Sequence, residues 1–182
     1  MLEYWPSQEK TKRFVVLGGG DAAYNNVKKI IDELSAESDR GAVIVGSAFL
    51  DEILQEILVA YAQNTAHMEK LVSNMRSSTV ADLCLSLGLI SQDERDTLKI
   101  LTQIRNKFAH RATISFDEPY VETRCGSLQF VKWSKEQKPP ARDRYLANIF
   151  NMIMEMEDRP SYLRAHPMPI VDIQRVVSSV QP

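Results

Sequence analysis

Cysteine is nearly missing from this chain, and so is the clustering of histidine that a metal site needs. Of 182 residues, two are cysteines and three are histidines. Cys84 and Cys125 stand far apart and form no C-x-x-C pair. That excludes a disulfide framework and a zinc knuckle, and it fits a reducing cytosol. Cys84, in ADLCLSLGLI, lies among apolar neighbours and reads as core. His67 and His166 are isolated, and without H-x-x-x-H or H-E-x-x-H no metal site is expected. A G-x-S-x-G elbow is absent too, which leaves serine hydrolase chemistry without its nucleophile. No apolar run approaches the roughly 18 residues of a membrane span. The opening MLEYWPSQEKTKRF lacks the apolar heart of a signal peptide. A soluble, cytoplasmic protein with no membrane contact is the expectation. The chain also lacks internal repeats, low-complexity tracts and any large excess of one charge. A formal net charge of −2 rules out coating DNA by bulk positive charge and leaves room for a local basic site.

What remains is the composition of an ordinary globular domain, 44% hydrophobic and 25% charged, in a length that suits one core. RFVVLGGGDAAYNNVKKIIDEL invites a cofactor reading, because Gly18, Gly20 and Ala23 match G-x-G-x-x-A after a strand-like FVVL. The continuation opposes it. A dinucleotide unit needs a second buried strand ending in an acid, whereas Asp39 precedes the next apolar run, and that run has helical spacing. No cofactor is expected, and the glycines are assigned to a turn with Asp21 as N-cap of the first helix.

Apolar residues then recur with helical period. Val27, Ile30, Ile31 and Leu34 mark a helix over Asn25–Ala36. A second runs from near AESDRG to about Gln63, with Val43, Gly46, Leu50, Ile53, Leu54, Ile57 and Tyr61 in one stripe and Ile44, Val45 and Phe49 outside it. A helix apolar on more than one face is central or covered by a partner chain. Gly46, Ser47 and Ala48 would let another helix approach closely. TAHMEKLVSNM is a short helix or turn. STVADLCLSLGLI is a helix capped by Ser78 or Thr79 and ended by Gly88. SQDERDTLKILTQIRNKFAH opens on the capping-box pair Ser91 and Glu94. A loop-like stretch with a short helix near Tyr120–Cys125 leads to the methionine-rich ARDRYLANIFNMIMEMED, whose methionines read as core or interface filler. The tail from Pro160 is expected to lie extended. The fold class is all-α, a single helical bundle of about five or six helices over 21–160, with an irregular arm at 1–20 and a tail at 161–182.

The chemistry-bearing stretch is QIRNKFAH, residues 103–110. At about 100° per residue, Ile100, Leu101, Ile104 and Phe108 face the core, while Lys99, Gln103, Asn106 and His110 line the opposite side. Arg105 lies on the flank. Asn106 and His110 are one turn apart and can touch. Lys107 and Arg111 add positive charge. A polar helix end facing water accounts for the pattern, with His110 and Arg111 favourable at a C-terminus. A second account is chemical. Cleaving RNA without a metal needs a base near pKa 7 and a fixed cation for the phosphate, and histidine and arginine supply them. Asn106 could orient the histidine or hold a phosphate oxygen. One copy of the face is spread out, and two copies across a two-fold axis would concentrate it.

R-N-x-x-x-H at a helix end, here Arg105, Asn106 and His110, resembles the signature of the HEPN superfamily of helical domains. That resemblance implies a dimer and, in some members, metal-independent endoribonuclease activity with those three residues catalytic. Three longer segments, Ala36–Leu54, Ala81–His110 and Ile114–Cys125, resemble the mannitol operon repressor (MtlR) family. This second resemblance implies an all-helical regulatory protein, a repressor working as a homodimer through contacts with protein, RNA or DNA. The chain shows no helix-turn-helix with a basic recognition helix, no zinc finger and no basic region, so direct operator reading is not expected. Glu37, Asp39 and Arg40 in ESDRG join Lys107 and Arg111 as candidate binding residues. Capping and helix-dipole preference explain the acids. Alternatively, Glu37 or Asp39 pairs with Arg105 or His110, which requires the central helix to begin beside the end of QIRNKFAH.

Overall fold

A computed structural model describes residues 20–131, 133 and 139–167. Eight helices occur among them, and no strand. They are α1 (Gly20–Ala36), α2 (Asp39–Tyr61), α3 (Thr65–Val72), α4 (Ser77–Ser86), α5 (Gln92–His110), α6 (Pro119–Gly126), α7 (Ala141–Met156) and α8 (Arg159–Ala165). The all-α class holds, and the expected five or six helices become eight. None of the described helices is long and apolar enough to cross a membrane.

The bundle is built around α2 and α7. α2 touches α1, α3, α4, α5, α7 and α8. Its buried residues, among them Val43, Gly46, Leu50, Leu54 and Ile57, are the stripe read from the sequence. α7 is buried all round: every residue from Arg144 to Ile153 is inside. Two asparagines survive there because each is satisfied. Asn148 donates to the Arg144 carbonyl at 2.8 Å and accepts from the Val131 amide, and Asn151 donates to the Ala147 carbonyl at 2.7 Å. Met152 and Met156 are core.

Several helix ends follow local chemistry. Ser91 and Glu94 form the reciprocal capping box at the start of α5. Gly88 takes φ 71° after α4. Its amide bonds Leu85 and the Leu89 amide bonds Cys84, the pair that closes a helix on a left-handed glycine. Ser38 caps α2 by accepting from the Gly41 amide.

Other expectations are corrected. α1 begins at Gly20, five residues early, so Asp21 lies inside the helix and is not its N-cap, and Gly20 belongs to that helix rather than to the irregular arm. Gly18 and FVVL lie outside the described residues. α4 starts after Arg76 with no side-chain cap, and neither Ser78 nor Thr79 fills that role; the hydroxyl of Ser77 instead donates to Asp51 at 2.7 Å. Pro160 does not open an extended tail. It sits in the first turn of α8, where a missing N–H costs nothing, and α8 packs on α2. Residues 168–182 lie outside the described part. Both cysteines are buried, and burial pushes each thiol up to about 12, which keeps them protonated and inert at neutral pH.

Candidate functional site

The core side of α5 is Leu98, Leu101, Ile104 and Phe108, with Ile100 half-buried beside them. Phe108 anchors the end of the helix in a chain of rings. Its centroid lies 5.3 Å from Phe116, which lies 5.4 Å from Tyr145. Tilted pairs at this spacing contribute about 0.5–1.5 kcal/mol each beyond the area they bury. On the other side Asn106 and His110 are exposed, one turn apart, on a helix that is held from beneath.

What holds it is ESDRG. Arg40, in the first turn of α2, donates to the carbonyls of Phe108, Arg111 and Ala112, the last at 3.1 Å. A helix C-terminus leaves carbonyls unbonded and carries partial negative charge, so a guanidinium there answers both needs. Asp39 accepts from the Phe116 amide at 3.3 Å and pairs with Arg142 at 2.5 Å. The central helix therefore does begin beside the end of QIRNKFAH. Its acid, however, faces Arg142 and the 116 backbone rather than Arg105 or His110. Glu37 is exposed, its carboxylate lying over Gly41 and its carbonyl accepting from Arg142 at 2.6 Å.

Arg105 is half-buried on the flank, and its Nε is buried with no hydrogen-bond partner. Its charge reaches the buried hydroxyl of Tyr145. Burial pushes that phenol well above its usual range; a hydrogen bond with Ser47 and the charge of Arg105 act the other way. Tyr145 donates to the Val43 carbonyl at 3.2 Å, with Ser47 Oγ at 3.3 Å. Arg105 is thus within electrostatic reach of the Tyr145 hydroxyl at the α2–α7 contact, while Asn106 and His110 are exposed. Arg111 is exposed and pairs with Glu118 at 3.2 Å.

Lys107 holds its ammonium 4.6 Å from the centre of the Tyr120 ring, and the guanidinium of Arg124 lies 5.3 Å from the same ring. Sequence reasoning missed Tyr120, Arg124 and Arg142. The first two were read only as part of a short helix. Arg142 is a cation in the first turn of a helix, against the dipole, which is a legible sign of a tertiary partner.

The two ends of α5 differ in sign. Its start, with Asp93, Glu94 and Asp96, borders an open groove of about 890 Å³ also lined by Ile100, Phe130 and Glu155. Its end carries Lys107 and Arg111. No group of histidine, cysteine and acidic residues among the described residues could hold a metal ion. Comparison with protein-family models, curated proteins and solved structures finds no match for this chain.

Proposed function

We propose that the chain is a regulatory protein of the mannitol operon repressor kind, acting in the cytosol as a homodimer through contacts with protein or nucleic acid. The observation that carries this reading is a displayed surface with a fixed foundation. Arg40 and Asp39 tie the end of α5 and the 116 loop to the start of α2, while Asn106, His110 and Arg111 stay exposed above them. A recognition surface built on rigid elements loses little entropy on binding. One turn further along the same helix, Ile44 and Val45 are 37% and 41% exposed, an apolar pair suited to a second copy.

The second reading is a metal-independent endoribonuclease. Exposed Asn106 and His110 favour it, with Arg105 close by on the flank. His110 would act as general base or acid, Arg105 would stabilise the phosphate and Asn106 would position it.

One experiment separates the two. Purified protein is incubated with labelled single-stranded RNA in EDTA, beside His110→Ala and Arg105→Ala. Intact RNA in all three samples supports the regulatory reading. Cleavage by the wild type alone overturns it and establishes the ribonuclease. Sedimentation of the wild type and of Val45→Glu tests the dimer: dimer and monomer respectively are expected, and a monomeric wild type removes that part of the proposal.

A further inference from the structure

We infer that Lys107, Tyr120 and Arg124, with Arg111 beside them, form a docking face for the phosphodiester backbone of a single-stranded nucleic acid. This deepens the regulatory reading by choosing nucleic acid over protein as the partner, and it rests on that reading only in placing the contact at the end of α5.

Two cations share one aromatic ring, at 4.6 and 5.3 Å from its centre. Through that ring they stand within about 10 Å of each other, close to one screening length in ordinary salt, so each feels the other's repulsion. Among the described residues neither Lys107 nor Arg124 makes an ion pair, although acids are near at hand. Glu118 goes to Arg111 and Glu122 faces Arg144 at 3.9 Å. Holding like charges together without a counter-charge is unfavourable, and an anion that bridges them removes the cost. The ring does a second job: it fixes two long side chains that would otherwise lose rotamer freedom on binding.

The geometry favours a polymer over a single small anion. Lys107 and Arg111 follow i, i+4 spacing at the end of α5, and Arg124 approaches from α6, which packs against α5. The cations therefore form a strip along two elements rather than a cradle around one point. Such a strip follows a backbone of repeated charges. Four other arginines in the described part are committed to structure. Arg40 and Arg142 bond helix-end carbonyls, and Arg95 and Arg159 bond carboxylates. The acidic start of α5 repels the same ligand and so sets where along the helix it can lie.

The test measures fluorescence anisotropy of labelled oligo-uridine and oligo-deoxythymidine of about 12 nucleotides, a length within the usual footprint of single-strand binders. The full chain is titrated in EDTA over a range of salt. Binding is expected to weaken linearly in log salt. Lys107→Gln and Arg124→Gln should each lower affinity about fivefold and make the salt slope shallower by nearly one counterion. Tyr120→Leu, which keeps apolar packing but releases both cations, should weaken binding with a smaller change in slope. Arg164→Gln, an exposed cation on α8 paired only loosely with Glu56, should bind as the wild type does. Lys107→Arg should retain most of the affinity and guards against a loss that is only misfolding. Equal losses in Arg164→Gln, or none in Lys107→Gln and Arg124→Gln, would overturn the inference. Inorganic pyrophosphate that displaces the oligonucleotide at equal concentration would also overturn it, by assigning the face to small anions. Absence of oligonucleotide binding removes this inference alone, since contact through protein and the dimer are read by the separate experiments above. Binding that persists in His110→Ala while cleavage disappears would sink the regulatory reading and leave the docking face standing.

Discussion

Replacing Arg40 by methionine should destabilise the protein by about 1.5–3 kcal/mol, and most of that should come from one carbonyl. The methionine keeps the aliphatic stem and deletes the guanidinium. Three acceptors then lose their donor: the carbonyls of Phe108, Arg111 and Ala112. The last two bonds are exposed, and water replaces the arginine there at little cost. The bond to Phe108 is partly buried, and a charge-assisted bond of that kind contributes about 1.5–3 kcal/mol. A cation at the end of α5 adds about 0.3–1 kcal/mol, and a cation in the first turn of α2 subtracts a similar amount, so the dipole contributions nearly cancel. For a chain of this size, each kcal/mol moves the melting temperature by about 2–4 °C, which gives a fall of about 3–12 °C. Urea denaturation at fixed temperature measures the energy directly, and hydrogen exchange at the Arg111 amide, bonded to the Lys107 carbonyl at 3.2 Å, locates it. Arg40→Lys, with the charge but not the fork, should recover about half of the loss. A change below about 0.5 kcal/mol in Arg40→Met would refute the assignment and return Arg40 to the candidate ligand-binding residues.

Three further substitutions test other parts of the argument. Gly46→Ala should be neutral or stabilising by up to about 1 kcal/mol in urea denaturation, because its new Cβ would meet Ile149 and Leu34 at 3.5 and 3.6 Å, ordinary contact distances, and alanine is the better helix former. Gly88→Ala should lose about 1 kcal/mol in the same assay, since φ 71° is strained for alanine although nothing lies within 4 Å of its Cβ; Gly88→Asn should lose less. Glu157→Gln should raise the melting temperature at pH 7. Burial, and then the charge of Asp158, lift the Glu157 carboxyl above its ordinary 4.5, and its Oε2 is buried without a partner. A raised carboxyl supports the fold fully below 4.5 and loses that support as pH rises through its folded value. The advantage of the variant should therefore shrink to nothing near pH 4, and an advantage that is flat with pH would contradict this cause.

The sequence made the inward side of α5 readable because one period governs it. Leu101, Ile104 and Phe108 recur at helical spacing, and each is buried. The Ser91–Glu94 box and the Gly88 ending were readable for a similar reason: both are decided within a few residues of the chain. α8 was hidden because Pro160 signals a break inside a helix and a start in its first turn, and only the packing of Leu163 and its neighbours on α2 decides between them. The candidate site was readable in its exposed half. Asn106 and His110 are where periodicity puts them. Its foundation was not, since the Arg40–Phe108 and Asp39–Arg142 contacts join residues 68 and 103 positions apart.

Yet those long contacts left a local trace. Acids belong in the first turn of a helix, and cations there oppose the dipole. Arg40, Arg142 and Arg159 all occupy first turns, and each reaches the end of another helix or its connection: Arg40 the end of α5, Arg142 the carbonyls of Leu34 and Ser35 in the last turn of α1 and of Glu37 just after it, and Arg159 the Leu89 carbonyl after α4 together with Glu94. A local choice that opposes its own helix is retained when a tertiary partner repays it. Lys107 and Arg124 are the opposite case. They sit in the last turns of α5 and α6, where the dipole already favours them, and they touch a ring instead of a carbonyl or carboxylate. The first-turn arginines thus build the fold, while Lys107 and Arg124 make no ion pair among the described residues and keep their charge for a ligand.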